Sequence, residues 1–161
     1  MKTISLFITL VLFSFSTAGA SENSKDKTPK IPEGANTVVI ALSENPDAVF
    51  KNFKRRAVAQ DYYLTYVDDE ARVFLTNFYD LSKKTAIQIK TYVKAVKNGG
   101  SNVVINAKFL KLKKLKKYPN YRPSKLRYKK DGKYGREAWK PFYLYAVGNQ
   151  DWKHQFIKHE I

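Results

Sequence analysis

The sequence contains no cysteine, which excludes a disulfide framework, a cysteine-ligated zinc site and a thiol nucleophile. Histidine occurs only twice, at His154 and His159, five residues apart. No metal-binding histidine motif, glycine-rich phosphate loop or nucleophile elbow occurs, and there is no convincing internal repeat. Acidic groups are scarce: 14 Asp and Glu stand against 30 Lys and Arg in 161 residues, a formal charge of +16. The one long apolar run, Ile4 to Phe15, is shorter than the ~20 residues that a spanning helix needs. What is present is enough to fold. Hydrophobic residues make up 43% and aromatics 14%, and a chain of this length buries roughly two-thirds of its unfolded surface. A single core without staples is expected.

Residues 1–20 read as an export signal. Met1-Lys2 give a positive start, Ile4 to Phe15 an apolar stretch, and Ala18-Gly19-Ala20 a small-residue cleavage site. Ser14, Ser16 and Thr17 end the stretch too early for an anchor, and no cysteine follows that could be lipidated. The expected product starts at Ser21, has no transmembrane segment and is periplasmic or extracellular. Residues 21–36, rich in Ser, Lys, Pro and acids with Ile31 as the only large aliphatic residue, read as a flexible leader. Residues 37–161 read as one α+β domain.

Thr37 to Leu42 is a β-branched apolar run of strand length. Asn45, Pro46 and Asp47 then supply a cap, a first-turn proline and a charge that complements the dipole. The spacing predicts a helix over 46–59 with Val49, Phe50, Phe53 and Ala57 inward, and Lys54, Arg55 and Arg56 as a solvated face. Tyr62 to Val67 and Ala71 to Phe78 read as strands around the turn Asp68-Asp69-Glu70. From Thr85 to Val96, Ile87, Ile89, Thr91, Val93 and Ala95 share one face, and Gln88, Lys90, Tyr92 and Lys94 the other. Asn98 to Ser101 forms the turn into a partner strand over 102–109, with Val103, Ile105, Ala107 and Phe109 on one face. Ala138, Trp139, Phe142, Tyr145 and Ala146 have helical spacing, and Pro141 favours a start near Trp139 or Lys140. Asp151 to His159 suggests a short final helix. The expected class is α+β: an antiparallel sheet covered by helices, in the approximate order β-α-β-β-β-β-α.

Ile31-Pro32-Glu33-Gly34-Ala35-Asn36-Thr37-Val38-Val39-Ile40, the strand pairs and Ala138-Trp139 make the chain similar to small exported α+β domains of uncharacterised function from bacteria, particularly Bacteroidota. The resemblance covers Ile31 to Ala146. It implies no catalytic residues and does not account for the basic segment described next.

The excess charge is local. Residues 108–140 carry fourteen basic and two acidic groups. Tyr118, Tyr121, Tyr128, Tyr134 and Trp139 lie among the cations. Lysine and arginine bind phosphates or sulfates by charge and counterion release, and rings can stack on bases or sugars. The pattern therefore suits an anionic polysaccharide, a glycolipid or a nucleic acid. Tyr121, Arg122, Lys125, Arg127, Tyr128, Lys129 and Lys130 are the preferred contacts, since neighbouring Tyr and Arg combine flat surfaces with directional donors. Lys111, Lys113, Lys114, Lys116 and Lys117 would act as an electrostatic attractor. Two other readings compete. Phe109, Leu112 and Leu115 among lysines suit a basic amphipathic helix on a membrane, and Pro119, Pro123, Gly132 and Gly135 suit a solvated loop.

The sequence favours a non-enzymatic binding or accessory protein of the cell envelope and implies no cofactor and no metal site. One alternative is an envelope assembly protein that binds another protein. A small basic nuclease using His154 and His159 is another, although five-residue spacing turns two helical side chains about 140° apart. Asp68-Asp69-Glu70 could hold a hard cation, but a turn explains it more simply.

Overall fold

The structure, a computed structural model, describes residues 31–97, 99–148 and 154–158. The expected export signal, leader residues 21–30 and His159 lie outside the described residues. The elements in chain order are β1 (Thr37–Leu42), α1 (Pro46–Ala59), β2 (Leu64–Asp68), β3 (Val73–Thr76), β4 (Tyr79–Asp80), β5 (Thr85–Ala95), β6 (Ser101–Lys111), α2 (Leu112–Lys117), β7 (Ser124–Lys125), α3 (Gly132–Ala146) and β8 (His154–Ile157). All strands join one antiparallel sheet in the order β2-β3-β5-β6-β1-β8; β4 extends the β3 side of β5, and β7 extends the β1 side of β6.

The spine is the β5–β6 hairpin, paired continuously from Thr85↔Lys111 to Ala95↔Ser101. Strict alternation sends Ile87, Ile89, Thr91 and Val93 to the same face as Phe109, Ala107, Ile105 and Val103, all buried. At the turn, Gly100 is required by space: a Cβ there would meet the Leu42 carbonyl oxygen at 2.5 Å.

Both long helices lie on this buried face. Asn45 accepts the Asp47 N–H, Pro46 opens α1, and Val49, Phe50, Phe53 and Ala57 point inward. Phe50 meets Phe74 of β3 at 5.9 Å between centroids, and Phe53 meets Tyr145 of α3 at 6.5 Å. The Tyr145 hydroxyl is paired with that of Thr91 at 3.1 Å, in the middle of β5. Burial pushes the Tyr145 phenol well above its ordinary pKa and that of Tyr62 up to about 12. The α+β class is therefore that of an antiparallel sheet with helices against one face. Neither long helix covers the other face, so the expected covering of the sheet is one-sided.

The observed order adds β4, α2 and β7 to the expected one, and three expected elements are corrected. His154–Ile157 is a strand, paired with β1 from Thr37↔Ile157 to Ile40↔His154, where a helix was expected. Its alternation places His154 and Phe156 toward Ile40 and Val38 on the core face, a pattern that short aromatic spacing does not distinguish from a helix. Second, α3 begins at Gly132 and holds Pro141 in its interior. The apolar stripe Ala138, Trp139, Phe142, Tyr145 and Ala146 is fully buried, and that burial offsets the backbone bond that proline cannot donate. Third, the expected strand over 71–78 is confined to β3, and β4 follows beyond its expected end as a separate two-residue strand.

Residues 31–36, assigned by their composition to the leader, are bonded to the fold. Ala35 is buried, the Gly34 N–H donates to the Tyr128 carbonyl at 2.8 Å, and the Asn36 N–H donates to the Ile157 carbonyl at 3.1 Å. Residues 31–36 thus belong with the sheet.

Candidate functional site

The basic segment resolves into four parts with different surroundings. Residues 108–111 finish β6. Strand alternation runs to Lys111, and the six-residue helix α2 follows directly. Leu112 and Leu115 are half-buried, while Lys113, Lys114, Lys116 and Lys117 are exposed. The Leu112 N–H donates to the Lys84 carbonyl at 2.9 Å, which fastens α2 beside the turn before β5.

That fastening brings in cations from outside the segment. Lys83 and Lys84 face Lys133, Tyr134 and Glu137 of α3 across a cavity of about 360 Å3. Lys111 reaches over the Tyr134 ring at 5.3 Å, and Glu137 accepts from the Thr85 hydroxyl at 3.1 Å. The lysines of α2, of the β4–β5 turn and of the start of α3 therefore converge at one end of the hairpin. Sequence reading missed Lys83 and Lys84 because only the β5–β6 register brings Thr85 opposite Lys111.

Each tyrosine of the segment carries a lysine over its ring: Lys117 on Tyr118 at 5.4 Å, Lys114 on Tyr121 at 5.5 Å, Lys129 on Tyr128 at 5.3 Å and Lys111 on Tyr134. Such pairs are worth about 0.5–1 kcal/mol at exposed sites. Here they space the ammonium groups and hold them against the surface.

The stretch after α2 crosses the sheet edge as an ordered strap. β7 pairs Lys125 with Lys108 and Ser124 with Phe109. Leu126 is completely buried, and its N–H donates to the Ala107 carbonyl at 2.9 Å. The Tyr128 N–H donates to the Ala35 carbonyl at 2.8 Å. The loop reading of the segment therefore fails for 124–128, whose backbone is bonded to the sheet and to residues 34–35.

The seven preferred contacts do not form one cluster. Arg122 is exposed on the way to β7. Lys125 stands on the open face of the sheet beside Lys108. Arg127 is drawn to Asp131, which accepts its backbone N–H at 2.5 Å and its guanidinium at 3.3 Å. Tyr128 leans on Trp139 at 5.1 Å, as part of the core boundary. Lys129 occupies a left-handed backbone position at φ 59°, and the Lys130 side chain runs past Gly34. Tyr121 is half-buried beneath Lys114. By contrast, Lys111, Lys113, Lys114, Lys116 and Lys117 all lie in or at the start of α2, at the cationic end.

The open face carries a second polar array. By register it is built from rows crossing the strands: Lys125, Lys108 and Gln88 in one, and Asn106, Lys90, Leu75 and Tyr66 in the next. Tyr66, Asp68, Ala71, Val73, Leu75, Gln88, Lys90, Asn106, Ala107 and Lys108 line a cavity of about 440 Å3 there. The strand alternation already placed Gln88 and Lys90 away from the core; their neighbours on β2 and β3 required the topology.

Other candidates have structural surroundings. Asp68 accepts the Ala71 N–H at 2.9 Å inside its turn, and Asp69 pairs with Lys54. Arg56, expected on a solvated face, is half-buried and donates to the Leu144 carbonyl at 3.0 Å. Burial lowers its pKa, opposed by the nearby Tyr145 phenol. His154 lies against Phe156 at 5.3 Å and Tyr143 at 6.5 Å between centroids. Among the described residues no group of three or more His, Asp or Glu could hold a metal ion, and no helix is long and apolar enough to cross a membrane.

No family model matches the chain, and no curated protein shows significant similarity to it.

Proposed function

We propose that this chain is a non-enzymatic, exported binding or accessory protein that contacts an anionic polymer or surface through its basic, tyrosine-bearing segment. One observation carries the reading: Lys83, Lys84 and Lys133 face one another beside α2, whose Lys113, Lys114, Lys116 and Lys117 are exposed. Cations gathered at one end of a fold repel one another, and an anionic partner relieves that repulsion while its counterions are released. The ordered backbone of 124–128 adds a rigid support, which lowers the entropy lost on binding.

The test is binding of the purified protein to lipopolysaccharide, a sulfated polysaccharide and single-stranded nucleic acid across a salt series. Binding should weaken steeply with salt and should be reduced by joint replacement of Lys113, Lys114, Lys116 and Lys117 with glutamine. No binding at low salt, or binding untouched by that replacement, would sink the reading. Export is tested separately, by fractionation of cells expressing the full chain: the protein should appear outside the cytoplasm and begin at Ser21.

A further inference from the structure

The open-face groove, unlike the lysine-rich end, combines three chemistries in one concavity. Tyr66, 53% exposed, stands at its β2 side, and its hydroxyl is held by the Asp68 carboxylate at 3.3 Å. Val73, Leu75 and Ala71 give it an apolar floor. On the β5 and β6 side each lysine faces an amide across the hairpin: Gln88 opposite Lys108, and Lys90 opposite Asn106. Gln88 is held in place by donating to the Thr76 carbonyl at 2.9 Å, which leaves its side-chain oxygen to accept. Strands lie about 4.8 Å apart, so the row from Tyr66 through Leu75 and Lys90 to Asn106 spans about 14 Å. The cavity volume of about 440 Å3 falls within the roughly 300–1,000 Å3 of small-ligand sites.

The groove is electrically asymmetric. Among the described residues Asp68 is the one acidic residue that lines it, at the β2 side, whereas Lys90 and Lys108 line the other side and Lys125 adjoins Lys108. A ligand that fits must therefore offer hydroxyl donors to a carboxylate at one side and an anionic group to ammonium groups at the other. It must also lay an apolar ring face on a single tyrosine, with amides to bond along its length. A sugar carrying a carboxylate or sulfate has all of these. A nucleic-acid strand fits less well, because stacking platforms use successive rings and the backbone phosphates would run toward Asp68.

We propose that this groove binds a short stretch of an acidic polysaccharide. Tyr66 takes a sugar face, Asp68 and Asn106 bond its hydroxyls, and Lys90 with Lys108 takes its acidic groups. The assignment rests on the anionic-polymer reading above and names its substrate class. Lys125 then connects the groove to the strap, and a longer chain leaving the groove over β7 continues along the basic segment.

The experiment uses the purified protein expressed from the full chain and three probes: oligogalacturonates from dimer to long polymer, neutral dextran, and single-stranded DNA. Short oligogalacturonates should bind while dextran of equal length does not. Lys90→Gln, Lys108→Gln and Tyr66→Ala should each weaken short-oligomer binding about tenfold, as expected from losing one charged hydrogen bond or one stacking face, with urea midpoints unchanged for the two lysine variants. Joint replacement of Lys113, Lys114, Lys116 and Lys117 should reduce affinity for long polymer and leave short oligomers unaffected. Short oligomers that do not bind, or that bind equally to Lys90→Gln and Lys108→Gln, overturn the groove assignment. Long-polymer binding that persists in that case keeps the broader reading, and its loss removes both. DNA binding abolished by Lys90→Gln and Lys108→Gln, with uronates unaffected, also overturns the assignment.

Discussion

Tyr128 rests its ring on that of Trp139, with centroids 5.1 Å apart, while its backbone exchanges hydrogen bonds with residues 34 and 35. This contact fastens the strap to α3 and to the first strand's entry. A residue that the sequence offers as a stacking surface for a ligand is thus used to hold the fold.

Tyr128→Ala should destabilise the protein by about 2 kcal/mol, less than the roughly 3–5 kcal/mol of a fully buried aromatic because the ring is half-exposed. Arg122→Ala should leave stability within about 0.5 kcal/mol, as exposed substitutions do. Urea denaturation of both variants checks the contrast; equal midpoints would show that the strap is not held by this ring.

Leu126 is a sharper probe of the same strap, since it is 0% exposed within a segment of exposed cations. Leu126→Ala should cost about 3 kcal/mol through lost burial and a residual cavity. Proteolysis after folding should then cut first between Tyr118 and Lys130, where the loosened strap offers many basic cleavage sites. A variant that unfolds as a whole before any cut appears would contradict local release.

Gly135 separates helix propensity from packing. Replacing an interior helical glycine with alanine ordinarily gains about 1 kcal/mol. Here the new Cβ would lie 2.2 Å from the Asp131 Cβ. Asp131 is only 6% exposed at its side chain and accepts the Arg127 N–H, so it cannot move aside without giving up that bond. Gly135→Ala should therefore lower stability by about 1–3 kcal/mol. A raised thermal midpoint would show that Asp131 relocates freely.

The alkaline limb of stability is set by buried phenols. Tyr62 is raised to about 12 and Tyr145 is also raised, both chiefly by burial. The unfolded chain deprotonates first, near the ordinary value of about 10. Between there and about 12 the unfolded state holds fewer protons, so stability falls as pH rises. The contribution is complete below pH 10 and disappears through the folded pKa. Urea midpoints measured from pH 8 upward should decline above pH 10, and Tyr62→Phe should flatten the decline. An unchanged slope in that variant would assign the alkaline loss to other groups.

Much of the scaffold is legible in the residues themselves. Alternation over Thr85–Ala95 and 102–109 fixes the hairpin and its buried face, and Asn45-Pro46 marks the start of α1 within one residue. What is not legible is made elsewhere in the chain. β8 is a strand because β1 offers it a free edge, and β7 is a strand because β1 leaves the last turns of the β6 edge unpaired. Two- and four-residue strands carry too few positions for a period to show. The candidate site divides in the same way. The lysines of α2 were visible as a charge run, whereas Lys83, Lys84 and Tyr66 join the surface only through cross-strand register. The pairing of Arg127 with Asp131 and of Tyr128 with Trp139 is likewise made by the fold and not shown by the residue pattern.

The non-local lysines give the last test. The β5–β6 hairpin is eleven residues long on each side, so its two ends lie about 34 Å apart. That distance is several times the ~8 Å screening length at physiological salt. Lys83 and Lys84 at one end should therefore act on a polyanion bound to α2, while Lys94 and Lys97 near the other should not. For a single-stranded nucleic-acid probe, each phosphate neutralised contributes about 0.7 to the slope of log affinity against log salt. Lys83→Gln with Lys84→Gln should reduce that slope by about 0.7–1.4, according to whether one or both lysines meet a phosphate. Lys94→Gln with Lys97→Gln should leave it unchanged. Equal reductions from the two pairs would mean that the probe is attracted by net charge alone, and the lysine-rich end would lose its standing as a site.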